Sequence, residues 1–194
     1  METLKQIGMN RGWIYEVIIS TYQDKNPHSA PIGVWTDDFA TLRMEIYKNT
    51  RTITNIMTFR EFAVNLMSDV MVFYEALFDK AKIAYEKSSN INAPFIKGSP
   101  AVIEFKLKEV KEKEKTFQLT AIPIHVQING SINLINRAEA LTLESLILAT
   151  KLPYLPNRQI RETLQENYRV IMKVAPGSQY EKILRMLFEC LQIT

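Results

Sequence analysis

Cysteine is nearly absent: Cys190 is the only one in 194 residues. That excludes a disulfide framework and a cysteine-based metal cluster. Its place in an apolar C-terminal segment reads as a buried, inert thiol. Histidine is equally scarce, and His28 and His125 are too far apart to form a zinc-ligand motif, so no metal site is expected. No stretch reaches the ~18 uninterrupted apolar residues needed to cross a bilayer. The opening Met1-Glu-Thr-Leu-Lys-Gln-Ile-Gly8 lacks the basic start and apolar run of an export signal. The expectation is a cytoplasmic protein with no membrane partner. Charge of one sign is also lacking: 24 Lys and Arg stand against 21 Asp and Glu, for a net of +3. The two signs interleave, most densely in Lys106-Leu-Lys-Glu-Val-Lys-Glu-Lys-Glu-Lys115, which reads as a solvated strand-and-turn surface. A nucleic-acid partner is not expected.

What the chain does have is an ordinary globular composition, 46% hydrophobic and 23% charged, and enough length for one domain with an appendage or two small domains. Residues 14–21, 30–35 and 42–47 are rich in β-branched and aromatic side chains and are separated by turn residues, which predicts a meander of three strands. The near-continuous apolar runs Val17-Ile-Ile19 and Ile32-Gly-Val-Trp35 suggest strands covered on both faces, as in a small barrel. A short helix to residue 59, a strand over 62–67, an amphipathic helix over 70–87 with its apolar stripe in the core, and a loop over 88–100 follow. Residues 101–110 and 116–128 read as a hairpin. Beyond Gly130 the periodicity becomes helical, and the chain divides into residues 1–134 and a helical region, 135–194. Asn136-Arg-Ala-Glu139 and Ser178-Gln-Tyr-Glu181 have the pattern of capping boxes. Pro153, Pro156 and Pro176-Gly177 separate three helices. Their single apolar faces suit packing on each other, on the barrel or on a second subunit.

One pair of segments carries chemistry. Ser29-Ala-Pro-Ile-Gly33 is a strand of small and apolar residues that a flat ring can approach closely, because Gly33 has no Cβ. Tyr47-Lys-Asn-Thr-Arg-Thr52 gathers hydroxyls and an amide around Arg51, directly before a predicted helix. A guanidinium fork, threonine hydroxyls and free N–H groups at a helix start suit a phosphate. The competing reading is a solvated turn in which Thr50 or Thr52 caps the helix. Asn65, alone inside an apolar strand, either lies near a ligand or bonds the backbone.

Taken in order, His28-Ser-Ala-Pro-Ile-Gly-Val-Trp-Thr-Asp-Asp38, Leu42-Arg-Met-Glu-Ile-Tyr-Lys-Asn-Thr-Arg-Thr52, Phe62-Ala-Val-Asn-Leu66 and Ile135-Asn-Arg-Ala-Glu-Ala-Leu141 resemble an archaeal and bacterial family of uncharacterised proteins. Members have an FMN-binding split β-barrel followed by a helical C-terminal region. The resemblance implies an α+β fold, with an antiparallel, Greek-key type split barrel of the flavin reductase kind and a C-terminal helical bundle. It also implies a homodimer with FMN near the subunit interface. It places Asn49, Thr50, Arg51 and Thr52 at the FMN phosphate, with Lys48 a further positive charge beside it. Ser29, Ala30, Pro31, Ile32 and Gly33 would line the flavin ring, with Tyr47 and Asn65 nearby. Flavin reductases of this fold often carry a larger residue than Gly33, and no nicotinamide-binding element is recognisable. The expected activity is thus either an FMN-dependent oxidoreductase or a protein that holds FMN as a carrier or sensor.

Overall fold

The computed structural model describes residues 3–152, 154 and 157–191. Residues 3–11 and 15–135 form one compact unit, and residues 12–14 with 136–191 form a second. In chain order the first unit contains α1 (Thr3–Gln6), β1 (Tyr15–Gln23), β2 (Asn26–Trp35), β3 (Leu42–Tyr47), α2 (Arg51–Phe59) and β4 (Glu61–Leu66). It continues with α3 (Val70–Phe78), β5 (Tyr85–Lys87), β6 (Pro94–Ile96), β7 (Ala101–Glu112) and β8 (Thr116–Ile128). The second contains α4 (Arg137–Ala149), α5 (Asn157–Val174) and α6 (Gln179–Leu191).

Six strands close an antiparallel barrel in the order β1-β2-β3-β8-β7-β4, while β5 and β6 pair separately. Asp24 takes the left-handed conformation that lets β1 turn tightly into β2. The long β7–β8 hairpin shifts register between Glu104 and Phe105 and again between Leu107 and Glu109. Such bulges add the bend and twist that closure requires. The apolar run in β1 is explained by its alternation. Val17 faces the barrel interior with Val34, Leu42, Val64, Ile103 and Phe105, whereas Ile18 packs outward on Met67, Ala76, Ile83 and Ile96. The interior is filled by side chains, with a residual void of about 10 Å³. A ligand of any size must therefore bind outside the barrel lumen.

Residues 70–87 depart from the expected single helix. The helix ends at Phe78, a 3₁₀ turn covers Lys80–Lys82, and Tyr85–Lys87 is a strand paired with Pro94–Ile96 inside the segment expected to be loop. The decisive contacts come from far along the chain. Asn65, fully buried, donates from Nδ2 to the Ile18 carbonyl and the Ser20 hydroxyl, both at 2.8 Å. Its Oδ1 accepts from the Ile96 N–H at 2.7 Å and the Ser99 hydroxyl at 3.3 Å. One amide thus pins β6 and the turn after it to the barrel wall, and local helical periodicity loses to that pairing. The apolar stripe of α3 is also not core: Val70, Tyr74 and Leu77 are exposed, and it is Ala76 that is buried.

In the second unit Asn136 caps α4. Its Oδ1 accepts from the Ala138 N–H, and its Nδ2 donates to the carbonyls of Ile14 and Val174. At the start of α6 the Ser178 hydroxyl accepts from the Glu181 N–H, and the Glu181 carboxylate accepts from Gly177 rather than from Ser178. The three helices pack on each other through Ala138, Ile171, Val174, Ala175 and Leu184, joined by Trp13 and Ile14. Cys190 is exposed, contrary to the expectation of a buried thiol, because it falls off the stripe formed by Ile183, Leu184, Leu187, Phe188 and Leu191. Pro153 and Pro156 lie outside the described residues.

Replacing Asn65 with Ala removes four buried hydrogen bonds at once, although Ser20 keeps Ser29 and Ser99 keeps the Ile96 carbonyl. Asn65→Ala is expected to lower the stability of the barrel unit by roughly 2–4 kcal/mol. Urea denaturation followed by tryptophan fluorescence checks this; a loss under about 0.5 kcal/mol would show that the amide is not a pin.

Candidate functional site

The barrel is split between two of its strands. β1 pairs with β2 along the whole length of both, but β2 pairs with β3 only through Val34 with Met44 and Trp35 with Arg43. Below that point the strands part, leaving β2 without a strand partner on that side. Pro31, which has no ladder donor, is accommodated on such an open edge. The gap is a cavity of about 450 Å³, within the usual size of small-molecule sites. It is lined by His28, Ala30, Pro31, Ile32 and Gly33 from β2, Glu45, Ile46 and Tyr47 from β3, and Thr50, Arg51 and Thr52 at the start of α2.

The turn after β3 aims that last group. Thr50 caps α2, accepting from the Ile53 N–H at 3.3 Å and donating to the Tyr47 carbonyl at 3.1 Å. Capping and cavity lining are thus properties of the same threonine. Arg51 is exposed and, among the described residues, has no carboxylate partner. Tyr47 is 68% exposed and offers its ring to the cavity mouth. Glu45 also reaches the rim, but its carboxylate is engaged by Lys113 at 2.7 Å and by the Thr116 hydroxyl.

Four expected residues lie outside the lining. Lys48 pairs with Glu112 at 2.5 Å and sits over the Phe117 ring, so its charge is directed to the β7–β8 hairpin. Asn49 is exposed on the turn. Ser29 is buried and bonds the Ser20 hydroxyl at 2.8 Å, and Ser20 in turn meets Asn65. Ser29 and Asn65 therefore brace the strand that forms the cavity wall.

Two further residues join the site from positions whose role the sequence does not signal. His28, 7% exposed, lies with Nε2 at 3.2 Å from the Thr52 hydroxyl and Nδ1 at 3.3 Å from the Lys80 ammonium. Lys80 is 52 residues away in the chain, on the turn after α3. Burial, then the charges of Lys80 and Arg51, hold the His28 imidazole down to about 4. Lys80 is itself pushed below the ordinary lysine value by burial and by Arg51. The end of the cavity at α2 thus holds Arg51 and a neutral imidazole, with the Lys80 ammonium bonded to that imidazole from outside the lining.

A family model described as the N-terminal domain of a protein of unknown function, DUF447, matches residues 15–130. The chain belongs to the DUF447 family. An uncharacterized protein of Methanocaldococcus jannaschii is 23% identical over 197 residues, 93% of this chain and 99% of its own. Among solved structures, an FMN-bound DUF447 protein from Methanosarcina mazei is 20% identical and superposes with a TM-score of 0.58 over 96% of this chain and 98% of its own. A putative flavin reductase with a split barrel domain from Shewanella frigidimarina is 19% identical, with a TM-score of 0.53 over 60% of this chain and 67% of its own. The fold of this DUF447 protein is the flavin reductase-like split barrel followed by C-terminal helices.

The depressed imidazole makes DUF447 stability sensitive to acid. The unfolded His28 binds a proton near pH 6.5, and the folded one only near pH 4. The stability this group contributes is full above about pH 6.5 and is lost as pH falls toward 4, by on the order of 1–3 kcal/mol. His28→Gln should remove that part of the pH dependence, as read by urea midpoints between pH 7 and pH 4. A variant that loses stability with falling pH as steeply as the wild type would refute the assignment.

Proposed function

We propose that this DUF447 protein binds FMN in the cleft between β2 and β3. The observation that carries the reading is the polarity of one cavity. Its wall of Ala30, Pro31, Ile32, Gly33, Ile46 and Tyr47 is small and apolar, and its far end holds Arg51 without a carboxylate partner beside two threonine hydroxyls. A planar ring lies against the first and a phosphate dianion meets the second. The donor set thus fits the two ends of FMN, and the FMN-bound relative supports the choice of flavin. The Arg51 guanidinium and the Thr52 hydroxyl bind the phosphate, Thr50 holds them at the start of α2 with its own hydroxyl proton on the Tyr47 carbonyl, and residues 30–33 with Tyr47 hold the ring. Ser29 and Asn65 keep that wall in place, while Lys48 and Asn49 contribute to the turn. In this reading residues 1–134 form the flavin domain and 135–194 its helical companion.

Bound FMN supplies hydride and electron transfer, so the protein's task is to orient the ring, exclude water from it and neutralise the phosphate. Oxidoreductase activity is the primary reading, with a non-catalytic FMN carrier or sensor as the second. Steady-state oxidation of reduced nicotinamides by the holoprotein distinguishes them. With one exposed cysteine and no disulfide, the cytoplasm is the compartment proposed. The active form is a homodimer. On α3, Val70, Met71, Tyr74, Leu77 and Phe78 are all at least 53% exposed, an apolar face that a second copy covers. That helix packs beside β2, which brings the interface near the flavin.

The purified protein is expected to be yellow, releasing FMN on denaturation. Arg51→Ala should weaken FMN binding by roughly 1.5–3 kcal/mol, measured by flavin fluorescence quenching. A colourless protein that ignores added FMN would remove the proposal. Sedimentation at micromolar concentration should show a dimer, and Leu77→Glu with Phe78→Glu should shift it to monomer. A wild type that sediments only as monomer speaks against the interface.

A further inference from the structure

We propose that Lys80 and His28 complete the anion end of the cleft as a relay: Lys80 fixes the His28 tautomer, and His28 turns the Thr52 hydroxyl proton toward a phosphate monoester. The inference deepens the FMN reading and rests on it for the ligand's ring. The relay itself follows from donors and acceptors.

An ammonium can only donate, so at 3.3 Å the His28 Nδ1 must be the acceptor. A neutral imidazole that accepts at Nδ1 carries its proton on Nε2. That N–H then donates to the Thr52 oxygen at 3.2 Å. The Thr52 hydroxyl, 3% exposed and on the cavity wall, makes no other hydrogen bond among the described residues, so its own proton is free for a ligand. The opposite tautomer would set an N–H against the ammonium and draw the hydroxyl proton onto Nε2. Thr52 would then present lone pairs to the cavity and repel an anion. The tautomer of a buried histidine therefore decides whether this wall attracts or rejects phosphate.

Charge balance points the same way. Lys80 takes no carboxylate among the described residues; the neighbouring Asp79 is paired with Lys82 at 3.0 Å. Lys80 and Arg51 lie close enough to feel each other as like charges, a cost that a dianion bound at Arg51 offsets. Two cations and an oriented hydroxyl suit a terminal phosphate with two ionised oxygens. Riboflavin, which lacks the phosphate, gains nothing from the relay.

Two measurements test this. The first needs no ligand: long-range proton–nitrogen correlation spectra of histidine-labelled protein, with His125 as internal reference. Wild type should show His28 protonated at Nε2 alone, and Lys80→Met should mix the tautomers. A wild-type His28 protonated at Nδ1 overturns the relay. The second compares FMN and riboflavin by fluorescence quenching. Lys80→Met and Thr52→Val should each weaken FMN binding about tenfold or more while leaving riboflavin within about twofold. The double variant should lose less than the product of the two, and Lys80→Arg should recover most of the loss. Unchanged FMN binding in Lys80→Met, or equal losses for FMN and riboflavin, overturns it. If wild type binds no FMN, the flavin reading fails by itself, and inorganic phosphate decides the relay. Phosphate-induced shifts of the His28 nitrogens in wild type but not in Lys80→Met support it, and their absence in wild type overturns it.

Discussion

A strand in a closed barrel must satisfy two edges, and β2 meets that demand unequally. It follows β1 along its whole length but touches β3 through only two residue pairs. Everything distinctive about this molecule hangs on that shortfall. The lumen is filled by side chains, so the split is the place where main chain, apolar wall and charge are open to a ligand together. The split must be held open without unravelling the barrel. The hydrogen-bonded series from Ser29 through Ser20 to Asn65, and from there to Ile96 and Ser99, holds it from behind.

The cleft is built with its electrostatics unsatisfied. Burial first, and then the positive groups around them, hold His28 and Lys80 below their ordinary values. Several surface lysines elsewhere are paired: Lys48 with Glu112, Lys106 with Glu61, Lys113 with Glu45.

How much of this was legible in the sequence depended on how far apart the deciding residues lie. The strands of the meander, the long hairpin and the three C-terminal helices follow from side-chain periodicity and turn residues, which act within a few positions. Arg51 and its threonines were legible because they are adjacent and precede a helix. The end of α3 at Phe78 and the β5–β6 pair were not, since they follow from bonds made by Asn65, 31 residues before Ile96. Lys80 was hidden for the same reason, because its meaning comes from His28 across 52 residues. His28 was visible but read only against metal-ligand spacing, a test blind to a histidine that serves as a link between a lysine and a threonine. Lys48 illustrates the converse, a neighbour in sequence that lies off the cavity lining. Adjacency to Arg51 suggested the cleft, but neighbours in a turn point in different directions, and Glu112 claims it.

The segment 12–14 ties the two ends of the described chain together within one unit. These residues precede the barrel strands in the chain, yet they belong to the helical unit, where the Ile14 N–H bonds the Val174 carbonyl and the Ile14 carbonyl accepts from Asn136. Ile14 and Asn136 are separated by 122 positions, almost all of them the barrel. Bringing the two together closes a long loop, whose entropic cost falls once the intervening chain has become compact. The helical unit is therefore completed by a long-range closure and not by its three helices alone.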